Sequence, residues 1–282
     1  MHALAIAAAL VAAAAGCNGA PVPSADPEDA PPDAALAVPY RLAAPDAAFE
    51  LPAALDEISG LTVLPNGHLA AVQDEDGEVF EIDPATGAVL AADRFANDND
   101  YEGLEVADGT LWVLESDGDL YEIVPGEADT DKIETGLKAR NDTEGLAYDA
   151  AGGRLLIACK EHPGVDGDVR AIWAFDLATR ELGDAPVVEL DRAVIDEGGP
   201  PHFKPSALAV HPRTGELYVV SSVRKAILVL TPAGEIAAAV ALPEALYGQP
   251  EGIAFAPDGT LFLSNESTLG PATLLRYAEQ GG

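Results

Sequence analysis

Five residues hold the same place in a short recurring signature: Ser59-Gly60-Leu61, Glu102-Gly103-Leu104, Glu144-Gly145-Leu146, Ser206-Ala207-Leu208 and Glu251-Gly252-Ile253. If the fold gathers these repeats around one axis, three glutamates and two serines face one another with no Lys or Arg in the column. Carboxylates that close cannot all stay ionised unless a cation neutralises them or some take up protons. An oxygen-only set of carboxylates and hydroxyls, with backbone carbonyls and waters, suits Ca²⁺ and its hard ligands better than Zn²⁺, which favours His and Cys. Only His202 closely precedes a signature, so no zinc or iron site is expected. A glutamate at a strand start can equally bond backbone N–H groups of the next repeat, with the following Gly serving close packing. On these residues alone, metal ligand and structural latch both stay open.

A second acidic set follows later in each repeat, at Asp74-Glu75-Asp76, Glu115-Ser116-Asp117, Lys160-Glu161 and Asn265-Glu266. The fourth repeat breaks it with Ser221-Ser222-Val223-Arg224. Asp98, Asn99 and Asp100, just before Glu102, could reach the same face. Asp117-Gly118-Asp119 looks like a calcium-loop fragment, but it lacks the spacing and closing Glu of an EF-hand and reads as a hairpin turn.

The elements that must position these groups are strands. After each signature come a tight turn, an apolar strand and a further strand, as in Pro65-Asn66-Gly67, His68 to Gln73 and Glu78 to Ile82. Outer strands are expected at Ala88 to Phe95, Lys132 to Leu137, Val187 to Asp191 and Glu235 to Leu242. The signatures step by 43, 42, 62 and 45 residues. Four short strands per repeat of this length describe an all-β, five-bladed β-propeller, with six blades as the alternative. The last repeat ends too early for an outer strand, so an N-terminal strand at Val38 to Ala43 is expected to close the ring. The long step is read as carrying a loop, Arg192 to Lys204.

Before the domain at 37–282, the chain divides in two. An apolar run, Ala3 to Ala15, ends in Ala14-Ala15-Gly16-Cys17 and looks like a bacterial lipoprotein signal over residues 1–16, with Cys17 as the lipidated mature terminus. An ordinary secretory signal or a mis-called start codon is the alternative, and a signal of either kind exports the protein to face the periplasm or cell surface. Residues 17–36 are rich in Pro, Ala and Asp and read as a stiff solvated tether. Cys159, in an apolar strand, reads as a core residue.

Those signatures, with Glu57-Ile58-Ser59-Gly60-Leu61, Asp100-Tyr101-Glu102-Gly103, the Lys160-Glu161 pair, Gln249-Pro250-Glu251-Gly252 and Ser264-Asn265-Glu266, resemble the SdiA-regulated family of envelope propellers, which are similar to NHL-repeat propellers. The resemblance implies a five-bladed propeller with a bound calcium ion and no settled activity. By position it points to Glu102, Glu144 and Glu251 as ligands, with Glu161 and Glu266 behind them. The fourth repeat departs near Val223, where the family usually has an acidic residue.

With 48 Asp plus Glu against 15 Lys plus Arg, the formal charge of −33 excludes a duplex nucleic acid partner. No nucleophile elbow occurs, and His68, His162, His202 and His211 are scattered. The expected function is a lipid-anchored, calcium-binding module that presents a small molecule or envelope protein with a binding face. The alternative is a calcium-dependent hydrolase, lactonase-, esterase- or phytase-like, with its site at the channel mouth. Glu102 or Glu144 would then serve as base, with His202 and Lys204 on a lid.

Overall fold

The computed structural model describes residues 38–126, 130–198, 202–268 and 270–281. The expected Cys17 lipidation, signal and tether lie outside them.

A short strand, β1 (Ala47–Glu50), leads into the first blade: β2 (Ile58–Val63), β3 (Leu69–Gln73), β4 (Glu78–Ile82) and β5 (Val89–Arg94). The second blade is β6 (Tyr101–Ala107), β7 (Thr110–Glu115), β8 (Leu120–Ile123) and β9 (Asp131–Ile133). In the third, β10 (Thr143–Asp149), β11 (Arg154–Cys159) and β12 (Val169–Asp176) are flanked by two short strands, β13 (Glu181–Leu182) and β14 (Val188–Asp191), which both pair with β12. A short helix, α1 (Arg192–Gly198), then leads to β15 (Ala207–Val210), β16 (Leu217–Ser221), β17 (Ala226–Leu230) and β18 (Ile236–Ala241). The last sheet is β19 (Pro250–Phe255), β20 (Leu261–Asn265) and β21 (Thr273–Tyr277), with β1 outermost.

The first strand of each blade touches the first strand of the next, and β19 returns to β2. This is a five-bladed β-propeller, and the long step that left room for a sixth blade holds the divided outer edge of blade three and α1 instead of a plain loop.

Closure uses a different segment from the one expected. Residues 47–50 pair antiparallel with 273–276. Val38, Tyr40 and Leu42 alternate as a strand would, but all three are buried in the core between blades four and five, with Tyr218, Tyr247 and Tyr277. Pro39 has no N–H to offer a ladder. Its carbonyl instead accepts Gln280 N at 2.7 Å, tying the two ends together. The expected strand at Lys132 to Leu137 is likewise shorter, ending at Ile133.

Apolar burial is organised by interface, with one cluster between each pair of neighbouring blades. Each fully buried aliphatic side chain there contributes about 1.5–3 kcal/mol. The signature glycines permit this packing. A Cβ on Gly103 would lie 2.8 Å from Leu146 Cβ of the next blade, and one on Gly252 would lie 2.9 Å from Leu61 Cβ. Cys159 is buried and unpaired, and burial pushes its thiol up to about 12, as its core reading requires. No helix among the described residues is long and apolar enough to cross a membrane.

Candidate metal centre at the upper mouth of the channel

The inner strands all start at one end of the channel, here called the upper mouth. At that start the ladder slips: the register jumps between Ile58 and Leu61, Tyr101 and Gly103, Thr143 and Gly145, and Pro250 and Gly252. Glu102, Glu144 and Glu251 are the residues skipped, and in the first blade Ser59 and Gly60 are. A bulge residue is released from pairing and its side chain re-aimed. Ser59, Glu102, Glu144 and Glu251 accordingly bound a narrow axial cavity of about 10 Å³.

The serines and glutamates of this ring behave differently. Ser59 Oγ donates to the Tyr101 carbonyl at 2.6 Å and Ser206 Oγ to the Pro250 carbonyl at 3.0 Å. Each acceptor immediately precedes the ring residue of the next blade, so the serines are latches. The glutamates are not spent in this way. Glu144 is ion-paired with Lys160 through Oε1, while its buried Oε2 has no hydrogen-bond partner. Burial raises the pKa of Glu102, and Glu144, Asp100 and Glu251 raise it further. Glu144 is pushed up by burial and Glu251, against the pull of Lys160. Glu251 is raised by burial too, although Lys160, Ser222, Ser206 and Gln249 oppose the shift.

Two further columns of five surround the ring. Two residues upstream of each ring position stand Glu57, Asp100, Asp142, Lys204 and Gln249; just past each second strand stand Asp74, Ser116, Lys160, Ser222 and Glu266. Backbone bonds join the two columns at one mouth: Asp74 N donates to the Glu57 carbonyl at 3.3 Å, Ser116 N to that of Asp100 at 2.9 Å, Lys160 N to that of Asp142 at 2.7 Å and Glu266 N to that of Gln249 at 2.9 Å. Glu266 is raised to about 8 by burial, Glu251, Asp74 and Glu57. Asp74 is raised to about 6 by burial, Glu57 and Asp100, and its Oδ1 is buried without a partner. Burial works against the Lys160 ammonium, but Glu144, Glu251 and Asp142 outweigh it and hold the charge on.

Glu266 therefore joins Glu102, Glu144 and Glu251. Glu161 does not: its half-exposed side chain is ion-paired with Lys204, which lowers its pKa. His202 is exposed, with a left-handed φ of 69°, on the segment leading to Lys204. Asp142 escaped the sequence reading, although its place two residues before Glu144, matching Asp100 before Glu102, marks it.

A separate acidic group lies on the second blade. One carboxylate oxygen each from Glu115, Asp117 and Asp119 falls within 4.8 Å of the others, a cluster that could hold a metal ion. Lys132 already sits on Glu115 at 2.7 Å and Asp119 at 3.1 Å. The turn expected at Asp117-Gly118-Asp119 is present, with Gly118 at φ 93° and its N–H on the Glu115 carbonyl at 2.8 Å. The ring carboxylates do not converge as closely as this trio.

Several enzymes share the fold. Over 83% of this chain and 94% of its own length, a glutaminyl cyclase from Myxococcus xanthus matches with TM-score 0.58 at 19% identity. A gluconolactonase from Xanthomonas campestris matches over 78% of this chain and 72% of its own, with TM-score 0.53 at 17% identity. A putative gluconolactonase matches over 79% and 75%, with TM-score 0.52 at 16% identity. At such identities the likeness speaks for the propeller alone. No curated protein matches the sequence. The SdiA-regulated family model, however, matches residues 40–270, which hold every blade strand except β21, and the chain belongs to the SdiA-regulated family.

Proposed function

We propose that this protein is a lipid-tethered envelope propeller whose upper mouth binds a calcium ion and uses it to hold a small molecule or envelope protein. One observation carries the ion: buried carboxylate oxygens, Glu144 Oε2 and Asp74 Oδ1, stand without partners among acids that repel one another. Leaving a buried acceptor unsatisfied costs about 1–3 kcal/mol, which a cation recovers. The donor set fits a hard ion, since beside Lys160 and Lys204 the three columns supply carboxylates, hydroxyls and one amide and contain no His or Cys. Glu102, Glu144, Glu251 and Glu266 would hold it; bound there, calcium would polarise a ligand oxygen.

Tyr40 OH donates at 2.8 Å to the carbonyl of Gly259, in the turn between β19 and β20 at the opposite end of the channel. The chain thus enters the domain on the far face.

A hydrolase acting on lactones, aryl esters or phosphates is the second reading. It is favoured by Asp74, a carboxyl at the mouth shifted to about 6, the range of a general base, and by the gluconolactonase that shares the scaffold. Metal analysis of the purified chain, with thermal melts in calcium and in chelator, tests the ion. About one calcium per chain and a higher melting temperature are expected; no metal and no shift would sink it. Calcium-dependent turnover on any of the three substrate classes would replace the binding reading with the hydrolase.

A further inference from the structure

The three columns at the upper mouth contain carboxylates in every blade except the fourth, and two cations, Lys160 and Lys204, on neighbouring blades. In so acidic a chain these two lysines are held deliberately. Arg170 is buried on β12, and its guanidinium donates to the Phe203 carbonyl at 2.7 Å, the Lys160 carbonyl at 2.8 Å and the Glu161 carbonyl at 3.1 Å. One side chain therefore fixes the main chain at Lys160 and next to Lys204, and Lys204 N is further held by Ser221 Oγ at 3.1 Å. Such support from behind is how a binding group is kept in place.

The two lysines are differently engaged. Lys160 is committed to the buried Glu144. Lys204 faces Glu161, whose side chain is 48% exposed, and its charge reaches Asp142 within the mouth. An ion pair this exposed contributes only about 0–1 kcal/mol, so Glu161 yields readily to a competing anion.

We propose that the upper mouth takes a small monocarboxylate, its carboxylate pairing with Lys204 in the place Glu161 now holds. This rests on the reading of the mouth as the ligand site. A monocarboxylate offers Lys204 the same charge and geometry that Glu161 offers it. A dianion would add a charge facing Asp100, Asp142 and Glu102, which already repel one another.

The test is calorimetric titration of the full chain in calcium at fixed ionic strength. The probes are sodium lactate, gluconate and benzoate, each paired with its neutral amide, and inorganic phosphate. At least one carboxylate should bind and its amide should fail. Lys204→Met should weaken that carboxylate at least about tenfold, as loss of a charge-assisted contact does. Glu161→Gln should tighten it, because the internal competitor is gone. Three results overturn the proposal: no carboxylate bound by the wild type or by Glu161→Gln, unchanged affinity in Lys204→Met, or phosphate bound more tightly than every carboxylate. Calcium content measured on the same samples separates the two readings. Carboxylate binding without calcium removes the ion and leaves this site; calcium without carboxylate binding does the reverse.

Discussion

The two mouths of the channel both carry buried carboxyls, and they use them in opposite ways. At the lower mouth Glu105 accepts Thr62 Oγ1 at 2.6 Å and its neighbour Val106 N at 2.8 Å through Oε1, and Tyr148 N at 3.2 Å through Oε2. Both oxygens are satisfied, and the side chain staples three inner strands. Burial raises its pKa while those donors pull it back. At the upper mouth several carboxyls crowd together, orphan oxygens remain, and like charge adds to burial. The lower mouth also opens into a far larger cavity, about 840 Å³ and lined by Leu61, Val106, Leu156 and Phe255 among others. A carboxylate whose acceptors are all filled is architecture, whatever the size of the cavity beside it. Unfilled acceptors that repel one another call for a cation or a proton.

The largest effect should come from exchanging protons for calcium. Glu266 and Asp74 hold their protons more tightly in the fold than at their ordinary values of 4.5 and 3.8. Their contribution to stability is therefore complete below those ordinary values and is lost as pH rises through about 6 for Asp74 and about 8 for Glu266. In chelator, the melting temperature should fall between pH 5 and pH 8.5. Calcium at a thousand times its dissociation constant should restore about 4 kcal/mol at the alkaline end, worth roughly ten degrees in a domain of this size. A chelated protein that grows steadily more stable from pH 5 to 8.5 would contradict the crowding of the upper mouth.

Substitution separates the mouths directly. Glu102→Gln removes a carboxyl that burial and its neighbours push up to about 10 and so hold protonated, and it should therefore raise stability in chelator above pH 5 while abolishing the calcium response. Glu105→Ala should do neither. It strands the three donors that the carboxylate serves and should cost about 3 kcal/mol, in calcium and in chelator alike. Equilibrium denaturation of both variants with and without calcium reads this. A calcium response lost in Glu105→Ala and kept in Glu102→Gln would exchange the roles assigned to the two mouths.

How much of this the sequence discloses depends on whether a position keeps its residue type. The ring column repeats Glu or Ser before Gly or Ala, and that regularity exposes both the blade count and Glu102, Glu144 and Glu251. The column two residues upstream reads Glu57, Asp100, Asp142, Lys204 and Gln249, a mixture with no signature. Asp100 and Asp142 share a spacing there, but that the whole column faces the same mouth shows only in three dimensions, where its carbonyls meet the residues just past the second strands. Glu161 misled for a related reason: it adjoins the column position, Lys160, and points instead to Lys204. The closing strand misled because Val38, Tyr40 and Leu42 alternate as a strand does while filling a core.

The smallest effect tests the staple one bond at a time. Thr62→Val keeps the shape of the side chain and deletes only the hydroxyl that Glu105 Oε1 accepts. The oxygen keeps Val106 N, so the loss should be that of one hydrogen bond to a charged group, about 1.5–3 kcal/mol and at the lower end of that range, again with the calcium response intact. Because Glu105 then holds its charge with one donor fewer, its carboxyl should titrate higher than in the wild type, a shift that carbon-detected NMR of the side chain can follow. An unchanged titration with unchanged stability would mean that Thr62 is not part of the staple, and that the lower mouth is held by the backbone donors Val106 N and Tyr148 N alone.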